Sequence, residues 1–281
     1  MFRKSGLIAL IIVLSLSLVL AGCGSKSASP ETKKELTGNI KVAGSTSVQP
    51  LAEELATKFM EQNRQVKIDI AGGGSGVGVE SAANGSANIG MASREIKQAE
   101  KDATPTMKDI VIAKDGIAVI INKGNDVSNL TLEQVKEIFT GKITNWKAVG
   151  GKDAAITVVN REEGSGTRGA FEELVLGKES KFTDKAIIQN STGAVKTAVI
   201  ADVKSIGYIS MGSMSAEVKG LQVNNVEPTM DNVVKGTYKI SRPFNFLVKG
   251  EPNEVTQSFI NWILSAEGQK IVKENGFIAV K

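Results

Sequence analysis

Runs of β-branched residues alternate with segments of helical periodicity along most of this sequence. Strand signals cover residues 39–43, 66–71 and 206–210. After the first of these, Leu51, Leu55 and Phe59 recur on one face of a predicted helix that has Pro50 in its first turn. The alternation predicts an α/β protein with mostly parallel sheets, in which ligands bind beyond the carboxyl ends of the strands.

One apolar run, residues 110–122, is too long for a single plain strand. Lys114, Asp115 and Gly116 interrupt it, so it is a candidate for a segment that crosses between two lobes. Further predicted elements are a strand at 154–160, a helix at 169–176, a strand at 243–248 and a terminal helix over 259–271.

Residues 161–171 join the predicted strand 154–160 to the predicted helix 169–176. The first N–H groups of a helix have no intrahelical partner and attract anions. Gly166 lets the backbone approach a ligand, Ser165 and Thr167 offer hydroxyl donors, and Arg161 offers a bidentate fork. The segment indicates an anion site, although taken alone it also fits an ordinary capped loop.

Two further loops repeat this pattern at strand-to-helix junctions. Ser45, Thr46 and Ser47 follow the first strand, and Ser75 follows the strand at 66–71. Ser191 and Thr192 form a fourth, weaker cluster of donors. A single Gly/Ser loop is usually a turn. Three such junctions, each with hydroxyls, favour one convergent site.

The first 22 residues have the features of an export signal. Arg3 and Lys4 precede an apolar stretch, 7–20, that is shorter than the roughly 20 residues of a membrane-spanning helix. The sequence Leu-Ala-Gly-Cys at 20–23 resembles a bacterial lipobox, which predicts cleavage before Cys23 and lipidation of its thiol. Residues 23–37 are predicted to be a flexible tether that starts at the lipidated cysteine. Cys23 is the only cysteine, so no intramolecular disulfide can form.

Composition excludes several classes of function. The chain has no histidine, which removes Ser-His-Asp and Cys-His nucleophile systems and the commonest metal ligand. The glycines at 72–78 lack dinucleotide-binding spacing. Loss of Arg3 and Lys4 lowers the formal net charge from +4 to about +2, which does not indicate nucleic acid. No metal or cofactor is predicted.

Four motifs, in order along the chain, resemble one protein family: Gly44–Leu51, Gly73–Gly76, Ile138–Trp146 and Arg161–Thr167. They are similar to motifs in the phosphate-binding lipoproteins of bacterial ABC phosphate transporters. The resemblance implies a type II periplasmic-binding-protein fold, with two α/β lobes joined by hinge strands near 113–118 and 240–246. It places lobe 1 at 38–114 and 242–281, and lobe 2 at 115–241.

The resemblance also implies a ligand and a set of site residues. Inorganic phosphate would be held by hydroxyls, backbone N–H groups and one arginine, and the carboxylate of Glu163 would orient that arginine. The positions that match the family's ligand-binding motifs are Ser45, Thr46, Ser47, Ser75, Arg161, Ser165, Gly166 and Thr167.

One position departs from the family pattern. Better-known members carry an aspartate in the first lobe that accepts the proton of hydrogen phosphate. Depending on where an alignment gap falls, its counterpart here is Ser93 or Arg94. A serine can accept a hydrogen bond, whereas an arginine can only donate. Both residues therefore belong to the predicted site, and the basis for rejecting sulfate stays open.

The sequence thus predicts a monomeric phosphate-binding protein, anchored through Cys23 to the outer face of the cell membrane, that serves the permease subunits of an ABC importer. One alternative is a binding protein for sulfate, molybdate or a phosphorylated metabolite. Another is an enzyme that hydrolyses phosphoesters with the Ser/Arg cluster, and a third is an adhesin or phosphate sensor. No enzymatic activity is expected.

Overall fold

The computed structural model describes residues 35–177 and 179–280. The predicted signal segment 1–22, the lipidation site Cys23 and most of the predicted tether lie outside the described residues. Within them, strands and helices alternate as the sequence predicts. None of the helices in this part of the chain is long and apolar enough to cross a membrane.

The elements are numbered in chain order. The strands are β1 (Thr37–Gly44), β2 (Gln65–Gly72), β3 (Ile89–Ala92), β4 (Met107–Asn122), β5 (Asn129–Leu130), β6 (Thr157–Arg161), β7 (Ile187–Gln189), β8 (Ser205–Ser210), β9 (Val218–Gly220), β10 (Gln222–Val223) and β11 (Ser241–Lys249). The α-helices are α1 (Gln49–Gln62), α2 (Ser75–Asn84), α3 (Gln98–Ala103), α4 (Leu132–Phe139), α5 (Gly166–Phe171), α6 (Thr192–Ala201), α7 (Met230–Val234), α8 (Glu254–Ile263) and α9 (Ala266–Glu274).

The first lobe is built on a parallel group of strands. β1 lies between β2 and β3 and is parallel to both. Leu51, Leu55 and Phe59 of α1 are buried, as their spacing on one helix face predicts. They pack in one core with apolar residues of α8 and α9. The carboxyl ends of β1, β2 and β3 therefore meet at one edge of the sheet.

The second lobe has β8 in its centre. β6 pairs with β8 in parallel, and β7 pairs with β6 in parallel. Phe171 stacks on Tyr208 with ring centroids 4.1 Å apart, and Phe139 meets Phe171 edge-on at 4.9 Å. Trp146 is fully buried, and its Nε1 donates to the carbonyl oxygen of Lys204 at 2.8 Å. Trp146 is thus a packing residue.

Two strands connect the lobes. β4 pairs with β11 from Met107 to Gly116 and with β8 from Ile117 to Ile121, so one continuous strand belongs to both sheets. The buried residues of the first core come from 40–113 and 244–277, and those of the second core come from 117–240. The predicted α/β architecture, two lobes joined by two hinge strands, is confirmed.

Some element bounds differ from the predicted ones. The helix predicted to begin at Gly169 begins at Gly166, because Ser165 caps it: the Ser165 Oγ accepts the Arg168 N–H at 3.2 Å. The predicted terminal helix is two helices, because Ser265 caps a new helix after Leu264. The run at 110–122 forms a single strand that starts earlier, and it changes partner strand at Gly116 and Ile117.

Candidate anion-binding site

Three polar loops of the first lobe follow neighbouring parallel strands. Ser45 follows β1, Ser75 opens α2 after β2, and Ser93 follows β3, and all three are almost fully buried. Gly44 makes the first loop possible: it has a φ of +135°, and a Cβ there would lie 2.4 Å from the carbonyl oxygen of Met91. The Oγ atoms of Ser45 and Ser93 are 2.9 Å apart, and those of Ser75 and Ser93 are 3.5 Å apart.

The second lobe contributes loops that follow β6 and β7. Arg161 ends β6, Thr167 lies in the first turn of α5, and Thr192 opens α6, and all three are buried. Because β6 and β7 are parallel, their carboxyl ends lie side by side. This places the guanidinium and both hydroxyls at the same edge of the sheet.

The loops of the two lobes meet in direct hydrogen bonds. The Oγ of Ser47 lies 2.8 Å from the Oγ1 of both Thr167 and Thr192. The backbone N–H of Gly76 donates to the carbonyl oxygen of Gly164 at 2.9 Å. Loops that lie more than 100 residues apart therefore share one cleft. It brings together the predicted site residues Ser45, Thr46, Ser47, Ser75, Ser93, Arg161, Ser165, Gly166 and Thr167.

Arg161 is the charged centre of this cleft. Its side chain is only 2% exposed. Its Nη1 donates to the Oγ1 of Thr192 and its Nη2 to the Oγ1 of Thr46, both at 3.2 Å, so the guanidinium touches loops of both lobes. A guanidinium fixed among hydroxyls can bind the oxygens of a tetrahedral anion.

The carboxylate that orients Arg161 is that of Glu162, and the prediction of Glu163 is wrong. Arg161 Nε donates to Glu162 Oε2 at 2.7 Å, and Nη2 donates to Oε1 at 2.8 Å, a bidentate pair. Glu163 is exposed at the tip of the loop. The sequence places two glutamates after the arginine, and only the course of the loop decides which one turns back to it.

Replacing Glu162 by glutamine should lower the free energy of unfolding by about 1–3 kcal/mol, because the buried Arg161 loses its charged partner. The measurement is thermal unfolding in buffer without oxyanion salts. Glu163→Gln is the matched control and should leave the melting temperature unchanged. Equal melting temperatures for the two variants would contradict the assigned pairing.

The guanidinium of Arg94 pairs with Glu100 rather than with the cleft hydroxyls, so its predicted ligand role is corrected. Its Nη1 and Nη2 donate to the carboxylate of Glu100 at 2.8 and 2.6 Å, and Nη1 also donates to the Glu95 carbonyl oxygen. Burial alone would raise the pKa of Glu100, but the hydrogen bonds from Arg94 and from the Lys97 backbone outweigh it and lower that pKa. Of the two alternatives left open by the sequence, the structure places Ser93 among the cleft hydroxyls.

Two buried charged residues that sequence reasoning missed lie beside Ser93. Arg242 donates from Nε and Nη2 to Asp115 Oδ2 at 3.2 and 3.0 Å, and from Nη1 to the Ser93 carbonyl oxygen at 3.1 Å. Burial raises the pKa of the Asp115 carboxyl, and the charge and hydrogen bonds of Arg242 oppose this rise. The sequence signal that could have found this pair is an acidic residue in the first predicted hinge strand and a basic residue in the second.

Thr192, which the sequence ranked as only a weak candidate, also lies in the cleft.

Comparisons with known proteins identify the family of the chain. A family model described as a PBP superfamily domain matches residues 29–267. The phosphate-binding protein PstS of Bacillus subtilis is 32% identical over 287 residues, covering 99% of this chain and 95% of that protein.

Solved structures extend the likeness to the fold. A phosphate ABC transporter substrate-binding protein from Clostridium perfringens, solved with bound phosphate, is 45% identical with a TM-score of 0.84, covering 87% of this chain and 100% of that one. An ABC-type phosphate transport receptor from Vibrio cholerae is 39% identical with a TM-score of 0.70, covering 85% and 99%. The predicted type II periplasmic-binding-protein fold is confirmed. By sequence and by fold, this chain belongs to the PBP superfamily and, within it, to the family of PstS phosphate-binding proteins.

Proposed function

We propose that this protein binds inorganic phosphate in the cleft between its lobes and delivers it to the permease subunits of an ABC importer. The observation that carries the proposal is the meeting of hydroxyls from loops of both lobes around the buried guanidinium of Arg161. The names of the relatives and the phosphate bound in the Clostridium perfringens structure support the choice of ligand.

The chemistry of the cleft suits binding without reaction. Hydroxyl and backbone N–H donors replace the water around an oxyanion, and each hydrogen bond to a charged group contributes about 1.5–3 kcal/mol. Several such bonds must exceed the cost of dehydrating the anion and ordering two lobes. The family to which the chain belongs consists of binding proteins, and the function assigned here is binding without catalysis.

Capture takes place by closure of the lobes about the hinge strands. Contacts such as Ser47 with Thr167, and Gly76 with Gly164, join the lobes and exist only when they are closed. The lobes comprise residues 38–114 with 242–281, and residues 115–241. What supports these bounds is that the residues of one core lie within 40–113 and 244–277, and those of the other within 117–240.

The mature protein is a monomer held at the outer face of the cell membrane by a lipid on Cys23. The lipobox-like sequence at 20–23 supports this part of the proposal.

Isothermal titration calorimetry of the pure protein with sodium phosphate should give saturable one-to-one binding that a tenfold excess of sulfate or molybdate does not abolish. Steady turnover of a phosphoester by the same preparation should not be detected. Tighter binding of sulfate or molybdate than of phosphate would show that the ligand is a different tetrahedral oxyanion. Absence of binding to any of the three anions would overturn the proposal.

A further inference from the structure

The hydroxyl of Ser93 has an unusual set of partners. Ser93 is 1% exposed at the end of β3. Its Oγ lies 2.9 Å from the Oγ of Ser45 and 3.3 Å from Nη1 of Arg242. A Cβ added to Gly166 of the other lobe would lie 2.7 Å from the same Oγ. Ser93 therefore lies inside the cleft, where a bound anion would contact it.

The groups around Ser45 fix the direction of the hydrogen bond between the hydroxyls of Ser45 and Ser93. The Oγ of Ser45 accepts the backbone N–H groups of Ser47 at 3.3 Å and of Val48 at 3.4 Å. A hydroxyl has two acceptor lone pairs and one hydrogen. With both lone pairs of Ser45 in use, its hydrogen is the one donated to Ser93.

The bond from Arg242 cannot be reversed, because a guanidinium has no acceptor. Asp115 holds it in place through two hydrogen bonds, and Ser210 of the second lobe donates to the other oxygen of Asp115 at 3.0 Å. Arg242 and Asp115 face each other across the paired hinge strands β11 and β4. Because the two charges cancel, the pair adds no net charge to the cleft. Its effect is to fix the direction of the hydrogen bond at the Ser93 hydroxyl.

We infer that Ser93 is a hydrogen-bond donor to the bound anion, and that Arg242, held by Asp115, enforces this direction. Both lone pairs of the Ser93 hydroxyl are occupied, by Ser45 and by Arg242. Its hydrogen faces only the Oγ of Ser75, at the long distance of 3.5 Å, and is therefore the atom that remains for the ligand. The inference rests on the proposed function and deepens it: Arg242 and Asp115 are positioning residues that determine specificity.

The first test is the pH profile of phosphate affinity in Ser93→Ala, measured by calorimetry from pH 5 to 8. Loss of a donor should weaken binding about 10- to 100-fold. The loss should be at least as large at pH 8 as at pH 5, because the more ionised anion accepts more strongly. A loss concentrated at pH 5, where the anion carries more protons, would make Ser93 an acceptor and overturn the inference. Failure of the unmodified protein to bind phosphate would instead overturn the proposed function.

The second test releases Ser93 from Arg242. The double variant Asp115→Asn with Arg242→Met removes both charges together and leaves no unpaired buried charge. Its freed lone pair should let Ser93 accept a proton of the ligand, which improves affinity at pH 5 relative to pH 8 about tenfold. Adding Ser93→Ala to this double variant should cancel the gain. A pH profile parallel to that of the unmodified protein would show that Arg242 has only a structural role.

Discussion

Replacing Arg161 by alanine should weaken phosphate binding by at least about 100-fold. The guanidinium is the charged donor of the cleft, and it contacts Thr46 of one lobe and Thr192 of the other. A bound phosphate would replace the two threonine hydroxyls as the acceptor from Nη1 and Nη2. Losing these two hydrogen bonds to a charged ligand costs about 3 kcal/mol or more, which corresponds to two orders of magnitude in affinity. Calorimetry with phosphate measures the effect, and circular dichroism confirms that the variant is folded.

Lys147→Ala is the control for loss of one positive charge. Lys147 pairs with Asp153 at 3.1 Å on the surface, where the two side chains are 71% and 67% exposed. Exposed pairs of this kind contribute little, so its affinity should equal that of the unmodified protein. If Arg161→Ala and Lys147→Ala bind phosphate equally well, Arg161 is not part of the site.

Replacing Gly166 by alanine should also weaken phosphate binding, by about 10- to 100-fold. A Cβ at this position would lie 2.2 Å from the Oγ of Ser75 and 2.7 Å from that of Ser93, both in the opposite lobe. Overpacking of this kind costs about 1–3 kcal/mol. Because the clash arises between lobes, the melting temperature without phosphate should change little while the affinity falls.

Gly164→Ala is the matched control in the same loop. A Cβ at Gly164 would meet no atom within 4 Å, and the carbonyl oxygen that accepts from Gly76 is retained. Its phosphate affinity should stay within about twofold of the unmodified protein, since surface changes usually alter stability by less than about 0.5 kcal/mol. Equal losses for both glycine variants would point to loop rigidity rather than to the inter-lobe contact.

Local sequence signals predicted most of the fold and of the cleft. The positions of Ser45, Ser75, Arg161 and Thr167 follow from strand-to-helix junctions, and in a parallel sheet such junctions meet at one edge. The position of each loop along the chain follows from a few neighbouring residues, whereas the meeting of the loops of the two lobes depends on contacts between residues more than 100 positions apart.

The parts that sequence reasoning missed depend on side-chain direction or on distant pairing. The choice of Glu162 over Glu163 depends on how one loop turns, and the guanidinium of Arg94 is directed away from the cleft hydroxyls by its pairing with Glu100. Asp115 and Arg242 are 127 residues apart, and only the register between β4 and β11 brings them together. A buried ion pair of this kind has no local pattern.

The order of strands has a consequence for the biogenesis of the protein. β11 lies between β3 and β4 in the sheet, although it is formed by Ser241–Lys249, close to the end of the chain. The α8 and α9 segments that complete the same core emerge later still. Until β11 has been synthesised, β3 and the first-lobe half of β4 each have an unpaired edge, and such edges are prone to misassociation. The second core is drawn from one continuous stretch, so it can assemble before the strand that completes the first lobe has been synthesised.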